Sequence, residues 1–60
     1  MIPQDPVMLL SFVNMKLRDE YKDLEALAEG LDISSDELKT IVDKLKTLGY
    51  EYNPEHNKFI

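Results

Sequence analysis

One helix of this chain is specified three times over in the sequence, by a start signal, an apolar stripe and a stop signal that agree with one another. Ser34 and Glu37 have the spacing of a capping box, in which each side chain bonds the backbone amide of the other residue. Gly49 is a left-handed terminator, and Tyr50 is placed to fold back onto the last turn in a Schellman motif. The apolar positions between these signals recur every three or four residues and cover one face: Leu38, Ile41, Val42, Leu45 and Leu48. The sequence therefore predicts a helix over residues 35–48.

An earlier helix is predicted over residues 6–19, because Asp5 can cap it and Pro6 suits the first helical position. At about 100° per residue, the apolar side chains of this helix form two faces rather than one. The first face comprises Leu9, Leu10, Val13, Leu17 and Tyr21, and the second comprises Met8, Phe12 and Met15. A surface helix needs only one such face. Either this helix lies in the middle of the domain, or the second face contacts another chain, which makes its three residues candidates for protein contact.

A shorter helix is predicted over residues 23–31, and a β-hairpin is predicted over residues 50–60. The hairpin is indicated by alternating residues on both sides of a turn that contains Pro54, with Asn57 or His56 able to take a positive φ. An isolated hairpin is barely stable in water, so its aromatic face should pack on the helices. That face comprises Tyr50, Tyr52 and Phe59. The predicted fold class is α+β, mostly α, with three helices and a C-terminal hairpin.

The segment L-A-E-G-L-D-I-S-S-D-E-L-K-T-I, residues 27–41, resembles the helix-turn-helix pattern. Ala28 matches the small residue between the two helices, and Asp32 stands where the pattern has Gly in the turn. Aspartate can enter the left-handed region at modest cost. Gly30, inside the second helix, is expected to let another backbone approach closely. With the hairpin after the third helix, the resemblance implies a single winged-helix-like domain over residues 1–60.

Composition narrows the class of protein. The 60 residues include no cysteine, so neither a disulfide nor a thiolate site can form. No apolar run reaches the ~18 residues of a membrane span, and the N-terminus has no secretory signal, so the expected compartment is the cytoplasm. The net charge is −5 and the isoelectric point is near 4.6. This acidity disfavours nucleic acid and anionic membranes as partners, because neutralisation of phosphates supplies much of the affinity for them.

Nucleic-acid binding is nevertheless the alternative function, and the third helix would carry it. In a DNA-binding winged helix, the outward face of this helix enters the major groove. Here that face is centred on Asp36, Thr40, Asp43 and Thr47. Its carboxylates would meet the negative surface of DNA, and the helix has no Arg, Asn or Gln to read bases. The candidate nucleic-acid contacts are lysines on the helix and in the hairpin: Lys39, Lys46 and Lys58.

Ser11, Asn14 and Arg18 form a polar line along the first helix. As a binding site, Arg18 would hold a carboxylate or a phosphate while Asn14 orients it. The alternative is a solvent-exposed strip of the kind that amphipathic helices carry, in which Arg18 pairs with a nearby acid. The acids within reach are Asp19, Glu20 and Asp23.

His56 is the single histidine, and it stands between Glu55 and Asn57 in the predicted turn. A general base needs a reacting partner and an orienting group, and a zinc site needs three or four ligands. The serines have no neighbouring base, and the two glycines are too few for a phosphate-binding loop. We therefore expect no catalytic residue, no cofactor or metal site and no small-molecule substrate.

Two segments carry a resemblance over the whole length: D-P-V-M-L-L-S-F-V-N-M-K-L-R-D near the start and L-G-Y-E-Y-N-P-E-H-N-K-F at the end. In these segments the chain is similar to a family of short uncharacterised bacterial proteins. The resemblance implies the fold and a bacterial context, and it brings no activity. From the second apolar face of the first helix, we expect a non-catalytic protein-interaction or self-associating module, whose partner is another protein or a second copy of the chain.

Overall fold

The computed structural model describes residues 2–60, in which three helices are followed by a two-stranded antiparallel hairpin. The elements are α1 (Pro6–Asp19), α2 (Leu24–Gly30), α3 (Ser35–Thr47), β1 (Tyr52–Asn53) and β2 (Lys58–Phe59). The predicted fold class and order of elements are confirmed, and each helix lies within one residue of its predicted bounds. Across residues 2–60, the structure has no helix with the length and apolar character that membrane crossing requires.

Side-chain caps define where the helices begin. Asp5 accepts a hydrogen bond from the amide of Met8, and Asp23 accepts one from the amide of Ala26. At α3 both halves of the predicted capping box are present, since Ser34 Oγ accepts from the amide of Glu37 and the Glu37 carboxylate accepts from the amide of Ser34. These bonds satisfy amides that have no partner inside the helix.

The last turn of α3 closes in the predicted Schellman motif. Gly49 has a φ of 94°, and its amide bonds the carbonyl of Lys46 at 2.9 Å. The amide of Tyr50 bonds the carbonyl of Leu45 at 3.0 Å. Because Gly49 lies in the left-handed region, a side chain at this position would be strained.

The turn between α2 and α3 is built around Asp32, which has a φ of 56°. This is the position at which the helix-turn-helix pattern has glycine, and aspartate adopts the same left-handed backbone there. The amide of Ile33 then bonds the carbonyl of Ala28 at 3.0 Å. Ile33 follows the end of α2 and precedes the first residue of α3.

The hydrophobic core is gathered around α1, which packs against α2, α3 and β2. Its buried members are Leu9, Val13 and Leu17 from α1, Leu27 from α2, Ile41 and Leu45 from α3, and Phe59 from β2. Helix α1 therefore packs against three other elements, but it is not enclosed on both apolar faces, since Met8 and Met15 of the second face remain exposed. Burial of the core side chains is the main stabilising term for so small a domain.

The hairpin has shorter strands than predicted. In the ladder, Tyr52 pairs with Phe59 and Asn53 pairs with Lys58. The rings of Tyr52 and Phe59 have centroids 5.6 Å apart and planes inclined at 58°. The expected three-ring face was wrong, because Tyr50 is 39% exposed and its amide is used to close α3. Tyr50 therefore belongs to the end of the helix rather than to a strand.

Gly30 permits a close approach, but not the one expected. A Cβ atom at this position would overlap the ring of Tyr21, which lies directly against α2. The prediction of a neighbouring backbone was wrong, since a side chain occupies that space instead. Tyr21 comes from the connection between α1 and α2, so the missing Cβ lets this connection fold back on the helix that follows it.

Candidate functional site

The outward side of α1 carries exposed apolar side chains. Val7 is 62% exposed, Met8 61% and Met15 42%. Phe12, the third residue predicted for protein contact, is instead half-buried and packs against the core, with Lys16 Nζ 5.7 Å from the centre of its ring. Val7 was missed because helical geometry places it beside Ser11 and Arg18, on the polar line of α1.

A groove of about 930 Å³ lies between α1 and the turn of the hairpin. Its lining comprises Leu10, Ser11, Asn14, Met15, Leu17, Arg18, His56, Asn57 and Lys58. The groove therefore joins the predicted polar line with Met15 and with two residues of the hairpin that the sequence had not connected to it. Among residues 2–60, no acidic residue belongs to this lining, which includes the cationic residues Arg18 and Lys58.

Asn14 fixes the hairpin against α1. Its Nδ2 donates to the carbonyl of Phe59 at 3.2 Å, and its Oδ1 accepts from the amide of Phe59 at 2.8 Å. Both ends of the side-chain amide are thus engaged with one backbone position of β2. From the sequence, Asn14 was a candidate to orient a bound anion, whereas in the structure it forms one wall of the groove by holding that strand.

Asn57 makes a second connection at the other end of α1. Its φ is 52°, so it takes the left-handed position in the turn. Its Nδ2 donates to the carbonyls of Leu17 at 3.0 Å and Tyr21 at 2.9 Å, and its Oδ1 accepts from the hydroxyl of Tyr52 at 2.7 Å. Carbonyls at the end of a helix have no partner within the helix, and Asn57 supplies one. The pKa of Tyr52 is raised, first by burial and then by the negative charge of Asp23.

Arg18 is bound to its neighbour in sequence. Its Nε and Nη2 donate to the two carboxylate oxygens of Asp19, each at 2.7 Å, and its side chain is 73% exposed. These hydrogen bonds lower the pKa of the Asp19 carboxyl. Of the three acids within reach of Arg18, Asp19 is the observed partner, while Glu20 binds Lys16 at 2.6 Å. An exposed pair of this kind is weak, because water competes for both charges.

The hairpin contributes two further polar side chains to the groove. His56 is exposed, and its backbone amide donates to Asn53 Oδ1 at 3.1 Å, which tightens the turn. Lys58 is exposed on β2. Across residues 2–60, no three His, Cys, Asp or Glu side chains are grouped so that they could hold a metal ion.

The candidate nucleic-acid contacts do not come together. Lys58 lines the groove, whereas Lys39 and Lys46 are exposed on α3 and are not part of its lining. On the same helix, the carboxylate residues Asp36 and Asp43 are also exposed. The backbone carbonyls of these two aspartates accept hydrogen bonds from the hydroxyls one turn later, those of Thr40 and Thr47.

Comparison with known proteins gives a family. A search of curated proteins found no match, and a search of solved structures found none either. A family model described as a domain of unknown function matches residues 3–59, which is nearly all of the chain. This match confirms the resemblance to a short uncharacterised family that the two end segments carry, and it brings no activity with it. The chain therefore belongs to the family described as Domain of unknown function (DUF4250).

Proposed function

We propose that this domain is a non-catalytic protein-interaction module that binds its partner through the outward side of α1. The observation that carries the proposal is the exposure of Val7, Met8 and Met15 on one side of the central helix. Burying the exposed part of such side chains against a partner favours the complex, because apolar surface is removed from water. Methionine adapts its shape to irregular surfaces and is enriched at protein contacts.

The position of α1 in the domain supports this choice of surface. Leu9, Val13 and Leu17 face the core, and the hydrogen bonds of Asn14 hold the hairpin on one flank. The outward side is left as a partly apolar strip on a backbone that is fixed by the core, so a partner can bind it without reorganising the core. Rigid surfaces lose less entropy on binding. The domain is treated as non-catalytic because the sequence offers no nucleophile, base and orienting group as a set.

Nucleic-acid binding draws less support. The chain has a net charge of −5, and Asp36 and Asp43 are exposed on the helix that would enter the major groove. Lys39 and Lys46 flank these carboxylates on the same helix. A protein partner in the cytoplasm, the compartment expected from the sequence, therefore remains the better-supported proposal.

The test is site-specific photo-crosslinking in cells that make the protein. A photoreactive amino acid replaces Met8 or Met15, and in control variants it replaces Lys39 or Lys46 on α3. We expect discrete covalent adducts from the α1 positions and none from the α3 positions. Adducts from neither helix, or from α3 alone, would contradict the proposal.

Sedimentation of the purified protein from micromolar to millimolar concentration separates the two kinds of partner. A mass that rises to twice that of the chain, together with adducts of the same size, identifies a second copy as the partner. A constant monomer mass together with larger adducts identifies a different protein.

A further inference from the structure

The groove between α1 and the hairpin turn is lined by two cationic residues, Arg18 and Lys58, on an acidic protein. Among residues 2–60, its nine lining residues include Arg18 and Lys58 and no acidic residue, although the chain has a net charge of −5. Most of the acids lie in another part of the sequence, although one of them, Asp19, is paired with Arg18. Eight of the twelve lie between positions 19 and 37, namely Asp19, Glu20, Asp23, Glu25, Glu29, Asp32, Asp36 and Glu37.

The position of Lys58 is fixed by its two neighbours. Phe59 pairs with the side chain of Asn14, and Asn57 bonds the carbonyls of Leu17 and Tyr21. The backbone on both sides of Lys58 is therefore attached to α1, the helix that carries Arg18. The backbone positions that carry the two cations are thus fixed relative to each other before any ligand arrives, which lowers the entropy lost on binding.

The groove also has an apolar component, because Leu10, Met15 and Leu17 belong to its lining. A ligand that fits the groove must bring negative charges to Arg18 and Lys58 and apolar atoms to Leu10 and Met15. We propose that the groove binds a segment of a partner protein in which aspartate or glutamate alternates with apolar residues. This inference rests on the proposed interaction function and adds the chemistry of what is bound.

Arg18 can accept such a ligand without losing a strong interaction. Its Nε and one proton of Nη2 are engaged with Asp19, and the remaining guanidinium protons are free to bind a second carboxylate. If the ligand displaces Asp19 instead, the bond that is exchanged is an exposed one between neighbouring residues, and such pairs contribute little to stability.

An acidic peptide fits better than nucleic acid for two reasons. Nucleic-acid binding proteins typically neutralise several phosphates, about 6–10 in well-bound examples, whereas this groove has two permanently cationic side chains, one of which is paired with Asp19. A long phosphate backbone would also extend beyond the groove and meet the acids of the remaining surface. A short peptide places only its own few carboxylates near the protein.

The experiment is an NMR titration of the full chain, labelled with ¹⁵N, with a blocked peptide of alternating glutamate and leucine. We expect saturable shifts at the side-chain amides of Asn14 and Asn57, the Nε of Arg18 and the backbone amide of Lys58. A peptide with glutamine in place of glutamate should bind roughly tenfold more weakly, since two charge pairs are lost. Shifts of equal size with both peptides, or none with either, would overturn the proposal.

Two double variants with the same net charge separate the effect of the groove from the effect of the protein's total charge. Arg18→Glu with Lys58→Glu removes the cations of the groove, and Lys39→Glu with Lys46→Glu makes the same charge change on α3. All four side chains are exposed, so we expect both double variants to retain the NMR spectrum of a folded protein. Binding should disappear in the first variant and persist in the second; equal loss in both would mean that only net charge matters.

Three further outcomes decide between occupants. Stronger shifts with a duplex or single-stranded oligonucleotide than with the glutamate peptide would overturn the choice of a peptide. A dimer that dissociates in the Arg18→Glu, Lys58→Glu variant would replace the partner protein with a second copy of this chain. Crosslinks from Met15 that are unchanged in that variant would remove the groove proposal and leave the interaction function intact.

Discussion

Asn14 places a side-chain amide against the backbone of Phe59, so that one residue of α1 forms both hydrogen bonds that a neighbouring strand would form. Phe59 is 2% exposed and belongs to the core. Its amide and carbonyl are therefore out of reach of most solvent, and they depend on Asn14 for partners. A buried polar group that loses its partner destabilises the folded state by its full desolvation penalty.

We predict that Asn14→Ala lowers the free energy of unfolding by about 2–4 kcal/mol, since an amide and a carbonyl each lose a bond. Chemical denaturation measures this change, and hydrogen exchange at the Phe59 amide should speed up at the same time. Ser11→Ala, one turn earlier on an exposed position, serves as the control and should leave stability nearly unchanged. Equal stability of the two variants would show that the Asn14 bonds contribute nothing.

Tyr52 gives the domain a dependence on alkaline pH. Its pKa is raised in the folded state by burial and by Asp23, so the folded chain keeps the phenolic proton at a pH where the unfolded chain loses it. The stabilising contribution is complete below the ordinary tyrosine pKa of about 10 and is lost as the pH rises through the folded-state pKa. Denaturation between neutral and alkaline pH measures this loss. Tyr52→Phe should reduce it, while Tyr50→Phe should retain it.

At the scale of elements, the ends of the helices were predictable because each depends on residues close in sequence. Asp5, Asp23 and Ser34 each bond an amide three residues ahead, and such spacing is visible in the sequence. The left-handed residues Asp32 and Gly49 are likewise recognisable from their type and place. The same local rules explain why all three helices agree with their predicted bounds.

The connections between elements were not predictable in this way. Asn14 and Phe59 are 45 residues apart, and Asn57 and Leu17 are 40 apart, so no local pattern pairs them. Asn57 was recognised as a turn residue from its tolerance of positive φ, but nothing in its neighbourhood indicated that its side chain would bond α1. The groove forms because these hydrogen bonds hold the hairpin against α1. The sequence indicated the polar line of α1 and the turn of the hairpin, but not that they lie side by side.

We predict that Gly30→Ala destabilises the domain by about 1–3 kcal/mol, although alanine is the better helix former. The added methyl group would overlap the ring of Tyr21, which must then move. Glu29→Ala, at an exposed position in the same helix, is the control. In a Tyr21→Leu background the destabilisation caused by Gly30→Ala should be smaller. Thermal unfolding of the unchanged protein, the two single variants and the double variant measures this coupling. An unchanged penalty would mean that Tyr21 is not the cause.

At the scale of the whole molecule, one helix has two roles on opposite sides. Its buried side organises a core of seven residues, and its outward side presents Val7, Met8 and Met15. In a chain of 60 residues, few elements are available to cover both sides of a helix. The buried side of α1 is therefore the core-forming side, and we propose that its outward side is the contact surface.

We predict that replacing Met8 and Met15 together by glutamate removes crosslinking from a photoreactive residue at position 7. The free energy of unfolding should change by less than about 1 kcal/mol, since surface substitutions have small effects. Matched glutamate replacements of Lys39 and Lys46 should leave the crosslinks in place. Loss of stability in the methionine variant would indicate that these side chains serve the fold rather than a partner.

The pairing of Asn14 with β2 also limits how chains of this kind can polymerise. A β-hairpin has two outer edges, and a fibre grows only when strands can add at both of them. Within residues 2–60 the sheet has two strands, and the amide and carbonyl of Phe59 on the outer edge of β2 are already occupied by a side chain from α1. The hydrogen bonds of residues 2–60 include no such side-chain partner on the outer edge of β1, which leaves that edge for another strand. Association through the hairpins would therefore stop at two chains, as long as α1 stays folded against them.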